Sequence, residues 1–166
     1  MKNIVLIGLP GCGKSTLGKL LAKSLDFSFI DCDEVIEENE KKAISKIFEE
    51  SGEDTFRDIE TRTLRKLLNV QNAVIATGGG CVERRENFEI LRKLGTVVFV
   101  NRPVEKIIGD IDTAKRPLLA DGKQRLYILN ERRLPLYQKI CNIDALVDST
   151  PEAAAEKILD EVKKNG

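Results

Sequence analysis

Gly8-Leu9-Pro10-Gly11-Cys12-Gly13-Lys14-Ser15 stands between the apolar run Ile4-Val5-Leu6-Ile7 and the segment Thr16-Leu17-Gly18-Lys19-Leu20-Leu21-Ala22-Lys23. The first run reads as a buried strand and the last as the start of an amphipathic helix. Between them lies the full G-x-x-x-x-G-K-[ST] pattern in the strand–loop–helix setting that gives it a mechanism. Glycines let successive backbone N–H groups curl around a polyphosphate, and the helix N-terminus adds positive dipole. Gly11, Cys12, Gly13, Lys14, Ser15 and Thr16 are therefore the expected nucleotide contacts. Lys14 can reach the β- and γ-phosphates as a point charge, and the Ser15 hydroxyl can hold Mg²⁺. A glycine turn that only caps a helix would need neither the Lys-Ser pair nor three glycines.

Further strand-like runs follow at Phe27–Asp31, Ala73–Thr77, Thr96–Asn101 and Ile143–Val147, after Asn3–Ile7. Helical patterns separate them: Lys14–Leu25, Asp33–Asn39, Ala43–Glu50, Glu53–Asn69, Arg84–Leu94, Val104–Ile108, Gln124–Ile140 and Glu152–Lys164. Strands alternating with helices predict an α/β fold, a five-stranded parallel sheet flanked by helices. Right-handed crossovers put all strand C-terminal ends on one edge, where ligands bind.

The chain has 166 residues, the scale of one domain, and its core needs no disulfide or metal. Lys and Arg total 27, as do Asp and Glu, so the net charge is zero. That balance argues against a nucleic-acid partner. No stretch reaches the ~18 apolar residues of a membrane span, and no signal peptide is evident. Cys12, Cys32, Cys81 and Cys141 lack C-x-x-C spacing, as expected of reduced thiols in the cytoplasm. Histidine is absent, so any proton acceptor is a carboxylate, lysine, tyrosine or thiolate.

Asp31-Cys32-Asp33 closes the second strand. If the extended conformation continues, both carboxylates face the cleft, one near Mg²⁺ and one able to take a proton from a hydroxyl nucleophile. The alternative is that Asp33 N-caps the next helix. Gly78-Gly79-Gly80 follows the third strand and permits close backbone approach or bared N–H groups. Arg57, Arg116 and Arg133 stand out among the cations, because a guanidinium fork pairs bidentately with carboxylate. Arg116 lies in the polar stretch Gly109–Lys123, which reads either as a linker or as a mobile lid. Three cysteines border the proposed cleft. They read either as small buried residues or as thiols activated at a helix N-terminus.

These motifs together resemble the shikimate kinase family over nearly the whole chain. The resemblance rests on Gly8–Ser15, Asp31 and Asp33, G-E-x-x-F-R at Gly52–Arg57 with Glu60, Gly78–Gly80, R-P-L-L at Arg116–Leu119, and R-x-P-L-Y at Arg133–Tyr137. It implies one kinase domain over residues 1–166, with substrate-binding helices at about 33–60 and a lid at about 109–123. It implies ATP- and Mg²⁺-dependent phosphorylation of the 3-hydroxyl of shikimate by a cytoplasmic monomer without nucleic-acid or membrane partners. On that resemblance Asp31 supports the metal and Asp33 is the base. Arg57 and Arg133 hold the substrate carboxylate, and Glu60 orients Arg57. Gly78, Gly79 and Gly80 line the ring, and Arg116 closes onto the phosphates. Gly109 fills the place where the family often carries an arginine beside the adenine, and could act as a hinge. A gluconate-type or nucleoside monophosphate kinase is the nearest rival. A GTPase-like switch is disfavoured by the lack of N-K-x-D.

Overall fold

A computed structural model describes residues 1–112 and 120–166, with the side chains at 112 and 120 left out of account. Five strands form one sheet: β1 (Asn3–Ile7), β2 (Ser28–Asp31), β3 (Ala73–Ala76), β4 (Gly95–Asn101) and β5 (Ile143–Leu146). Their spatial order is β2-β3-β1-β4-β5, and every neighbouring pair is parallel. The α/β architecture expected from the sequence is what forms. β1 sits at the centre, registered Ile4 to Val74 on one side and Ile4 to Thr96 on the other. All five of its residues are buried, as are all four of β3, because a parallel sheet is covered on both faces.

The covering helices are α1 (Lys14–Leu25), α2 (Cys32–Glu40), α3 (Ile44–Lys66), α4 (Glu86–Leu94), α5 (Val104–Asp112), α6 (Ala120–Ile140) and α7 (Pro151–Asn165). α1 packs on β3 and α7, while α4 packs on β1 and β4. α1 ends at Asp26, whose left-handed backbone (φ 55°) returns its N–H to the carbonyls of Ala22 and Lys23. Asn3 ties the far end of the sheet together. Its amide donates to the carbonyls of Val70 (2.7 Å) and Leu94 (3.1 Å) and accepts from the Ala73 N–H (3.0 Å).

Element boundaries differ from expectation at informative places. The two helices expected on either side of residue 52 meet at a kink at Gly52, where φ is 82° and ψ 172°. That conformation favours glycine, and it separates the segment that begins with Glu53 and carries Arg57 and Glu60. A short 3₁₀ turn over Cys81–Glu83 precedes α4. Helix α5 runs on to Asp112 and α6 already begins at Ala120, so both ends of the stretch read as a linker or lid are helical. Gly109 lies inside α5 rather than at a loop hinge. Arg116 and the centre of the expected lid fall outside the described residues.

No helix among the described residues is long and apolar enough to cross a membrane.

Candidate active site

Four loops meet at the C-terminal edge of the sheet, above the crevice where strand order reverses on either side of β1. The first is the phosphate loop. Gly11 (φ 80°) and Gly13 (φ 99°) take left-handed backbone conformations. Gly13 then starts α1, its carbonyl accepting from the Leu17 N–H at 2.9 Å. Lys14 is buried under this arch. Its Nζ donates to the carbonyls of Gly8 (2.6 Å) and Leu9 (2.9 Å) and lies 3.6 Å from Cys12 Sγ. The cation is thereby held at the mouth of the nest of backbone donors.

Beside it, the Ser15 hydroxyl donates to Asp31 Oδ2 at 2.9 Å. One hydroxyl and one carboxylate at a helix N-terminus suit Mg²⁺, which keeps waters and takes substrate phosphate oxygens rather than a full protein cage. No cluster of three or more potential ligands among His, Cys, Asp and Glu occurs among the described residues.

The Asp31/Asp33 pair is arranged differently from a continuing strand. The chain turns into α2 at Cys32. Asp31 is the N-cap of that helix, with Oδ1 accepting from the N–H groups of Asp33 (3.0 Å) and Glu34 (3.3 Å). The capping role considered for Asp33 thus belongs to Asp31, and a helical turn, not strand alternation, brings Asp33 to the cleft. Asp33 Oδ1 is buried and has no hydrogen-bond partner among the described residues. Burial, and next the nearby Asp31 charge, push its carboxyl above the usual range, against the pull of Lys14.

The Gly78–Gly80 segment is anchored at its start by Thr77, whose hydroxyl donates to the Leu6 carbonyl at 2.8 Å. Tyr137 is fully buried and donates its hydroxyl to the Gly79 carbonyl at 2.6 Å. Each glycine is crowded on a different flank. A Cβ on Gly78 would stand 2.7 Å from Glu60 Oε2 and 2.9 Å from Asp33 Oδ1. One on Gly79 would meet Pro10 Cδ at 2.8 Å, and one on Gly80 would collide with the Arg57 guanidinium. Close approach, rather than positive φ, is therefore the reason for three glycines.

Arg57 and Arg133 are both buried and converge from α3 and α6. Arg57 Nη1 donates to Glu60 Oε1 at 2.9 Å, the orienting pair expected for these two residues. Burial raises the Glu60 carboxyl to about 7, although Arg57 pulls it down. Arg133 Nη2 donates to Glu83 Oε2 at 3.1 Å. The Nε atoms of both arginines are buried without partners. Asp33, Arg57, Glu60, Gly78–Gly80 and Arg133 line one cavity of about 540 Å³.

A smaller cavity of about 340 Å³ lies across Gly11. It is bordered by Cys12, Gly13, Thr16, Arg102 and Pro151. Arg102 is held by Asp110 through Nε (3.0 Å) and Nη2 (2.7 Å). Sequence reasoning missed Arg102, Glu83 and Arg132. The first directly follows β4, which is a positional signal. Nothing local distinguishes the other two.

The activated-thiol reading fails for Cys32 and Cys81. Both are buried, and burial pushes the Cys81 thiol up to about 12 and raises Cys32 well above its ordinary value. Cys12 is buried as well.

A family model described as shikimate kinase matches residues 10–163. A shikimate kinase of Clostridium botulinum (strain Eklund 17B / Type B) is 49% identical, covering 99% of this chain and 97% of the relative. The structure of shikimate kinase from Acinetobacter baumannii in complex with shikimate is 36% identical and covers 99% of this chain and 94% of that one, with a TM-score of 0.92. Shikimate kinase from Bacteroides thetaiotaomicron is 28% identical, with 98% of each chain covered and a TM-score of 0.89.

Proposed function

The chain belongs to the shikimate kinase family, and on that premise we propose that it transfers the γ-phosphoryl group of ATP to the 3-hydroxyl of shikimate, a step of aromatic amino-acid biosynthesis. The observation that carries the proposal is the shared cavity. An unpartnered carboxylate, Asp33, and two buried arginines with free Nε–H groups face one space beside the phosphate loop.

Phosphoryl transfer is mainly positioning and charge stabilisation. Backbone N–H groups of Gly11, Cys12 and Gly13, with Thr16, receive the nucleotide phosphates at the N-terminus of α1. Lys14 offers its charge to the β- and γ-phosphates. Ser15 and Asp31 would hold Mg²⁺, which neutralises phosphate charge when bound. Asp33 accepts the proton of the attacking hydroxyl. Its raised carboxyl pKa makes it a better base. Arg57 and Arg133 pair with the acceptor's carboxylate, and Gly78–Gly80 lie against its ring. Arg102 supplies the positive charge at the nucleotide end where Gly109 carries no side chain. Arg116 is assigned to the closing lid on the family resemblance. The protein acts as a cytoplasmic monomer of one kinase domain, without nucleic-acid or membrane partners.

The test is ADP release with Mg-ATP across shikimate, quinate, gluconate and AMP. Turnover on shikimate alone is the expected result. Turnover on another acceptor would leave phosphoryl transfer standing and overturn the substrate.

A further inference from the structure

Arg57 and Arg133 do not face the cavity unaccompanied: a single acidic side chain stands between them. Glu83 Oε2 lies 3.1 Å from Arg133 Nη2 and 3.8 Å from Arg57 Nη2. Its other oxygen, Oε1, lies 2.6 Å from Arg132 Nε. The Glu83 side chain is only 10% exposed, and those of Arg57 and Arg133 are 10% and 7% exposed. The Glu83 N–H donates to the Gly80 carbonyl at 3.0 Å, so the turn after the three glycines fixes where this carboxylate stands.

Two buried guanidinium groups aimed into one cavity repel each other, and more strongly there than in water. An anion bridging them offsets the repulsion and fixes their spacing. Glu83 uses Nη2 of each arginine and leaves the buried Nε–H of each without a partner. Arg57 is further held by Glu60 through Nη1 (2.9 Å) and by Glu53 through Nη2 (3.4 Å), so on both arginines Nε is the buried donor without a partner among the described residues.

We propose that Glu83 is a positioning residue that bridges Arg57 and Arg133 and sets the distance between them to suit one carboxylate of the acceptor. This rests on the reading that these arginines receive that carboxylate. Arg132, 67% exposed, adds an ion pair to the far oxygen of Glu83 without hydrogen-bonding it, so the two buried arginines carry the bridge. The contrary role, an internal anion that competes with the acceptor, predicts the opposite sign of effect on affinity.

The experiment is Glu83→Gln, alone and combined with Arg133→Ala, read by calorimetric binding of shikimate and by steady-state kinetics. Loss of a charge-assisted contact is expected to raise the shikimate Kd and KM about tenfold. Turnover at saturation and the KM for ATP should stay within about twofold, which general destabilisation would not produce. In the Arg133→Ala background the added effect of E83Q should shrink to near nothing, because the bridge has already lost one end. Glu83→Asp keeps the charge and should lie closer to wild type than E83Q. A shikimate KM unchanged or lowered in E83Q, with wild-type turnover normal, overturns the proposal alone. Wild-type protein that neither binds nor phosphorylates shikimate overturns the acceptor assignment and this proposal with it.

Discussion

Asp33 and Glu60 present a carboxyl oxygen each to the same Cα: a Cβ on Gly78 would stand 2.9 Å from Asp33 Oδ1 and 2.7 Å from Glu60 Oε2. Both oxygens are buried and unpartnered. A backbone carbon with no side chain is what keeps the two acids at their separate tasks, one toward the acceptor hydroxyl and one behind Arg57.

Gly78→Ala should therefore disable the enzyme out of proportion to its size. The added methyl must displace Asp33 or Glu60, and misplacement by about 1 Å costs roughly 100-fold in rate. We expect at least that loss in kcat/KM for shikimate, with ATP binding retained. Near-normal kinetics would show that neither carboxyl position matters.

Asp33→Asn removes the proton acceptor with little change of shape. Loss of a general base costs about 10²- to 10⁴-fold in turnover. Nucleotide titration should show the ATP Kd within a few-fold of wild type. Turnover close to wild type would take Asp33 out of its role.

Glu60 has a signature in stability. Its carboxyl sits at about 7 when folded against an ordinary value of 4.5, raised by burial. Below 4.5 both folded and unfolded chains hold the proton. Between 4.5 and about 7 the folded chain keeps a proton that the unfolded chain has released. The stabilisation from Glu60 is therefore full below that window and is lost as pH rises through it. Urea denaturation at pH 5 and pH 8 should give a smaller stability difference for Glu60→Gln than for wild type. Equal differences in the two proteins would refute the assignment.

Arg102→Ala should act at the other end of the site. It removes the guanidinium held by Asp110 at the edge of the nucleotide cavity. The expected outcome is a KM for ATP raised about five- to tenfold, with the shikimate KM unchanged, on the scale of a charge-assisted hydrogen bond. A shift in the shikimate KM instead would place Arg102 wrongly.

What the sequence revealed follows from how local each feature is. The phosphate loop was legible because its glycines, lysine and serine are contiguous, and the strand and helix around it are too. The break at Gly52 was legible because glycine separates two helical patterns. Asp31 and Asp33 were legible as residues but not as geometry. Strand alternation would carry to Asp33 only if the backbone stayed extended, whereas β2 ends at Asp31, whose side chain caps α2. The crowding of Gly78–Gly80 could be anticipated, but not its causes, because Pro10 approaches from the phosphate loop, Asp33 from α2, and Arg57 and Glu60 from α3. Glu83 was invisible. Alone, three residues past Gly80, it reads as a surface acid, and only α3 and α6 together give it two buried arginines.

Pro10 and Gly79 lie side by side in the wall of the larger cavity, so closely that a Cβ on Gly79 would be 2.8 Å from Pro10 Cδ. On the proposed reading Pro10 belongs to the loop that takes phosphates, and Gly79 to the segment that takes the acceptor ring. With no room for even a methyl group between them, the two segments cannot shift independently. Whatever free energy one occupant spends or gains at this contact is thermodynamically shared with the other. The factor by which nucleotide alters acceptor affinity must then equal the factor by which acceptor alters nucleotide affinity. On the proposed reading the two substrates bind as a linked pair, with a proline and a glycine in contact between them.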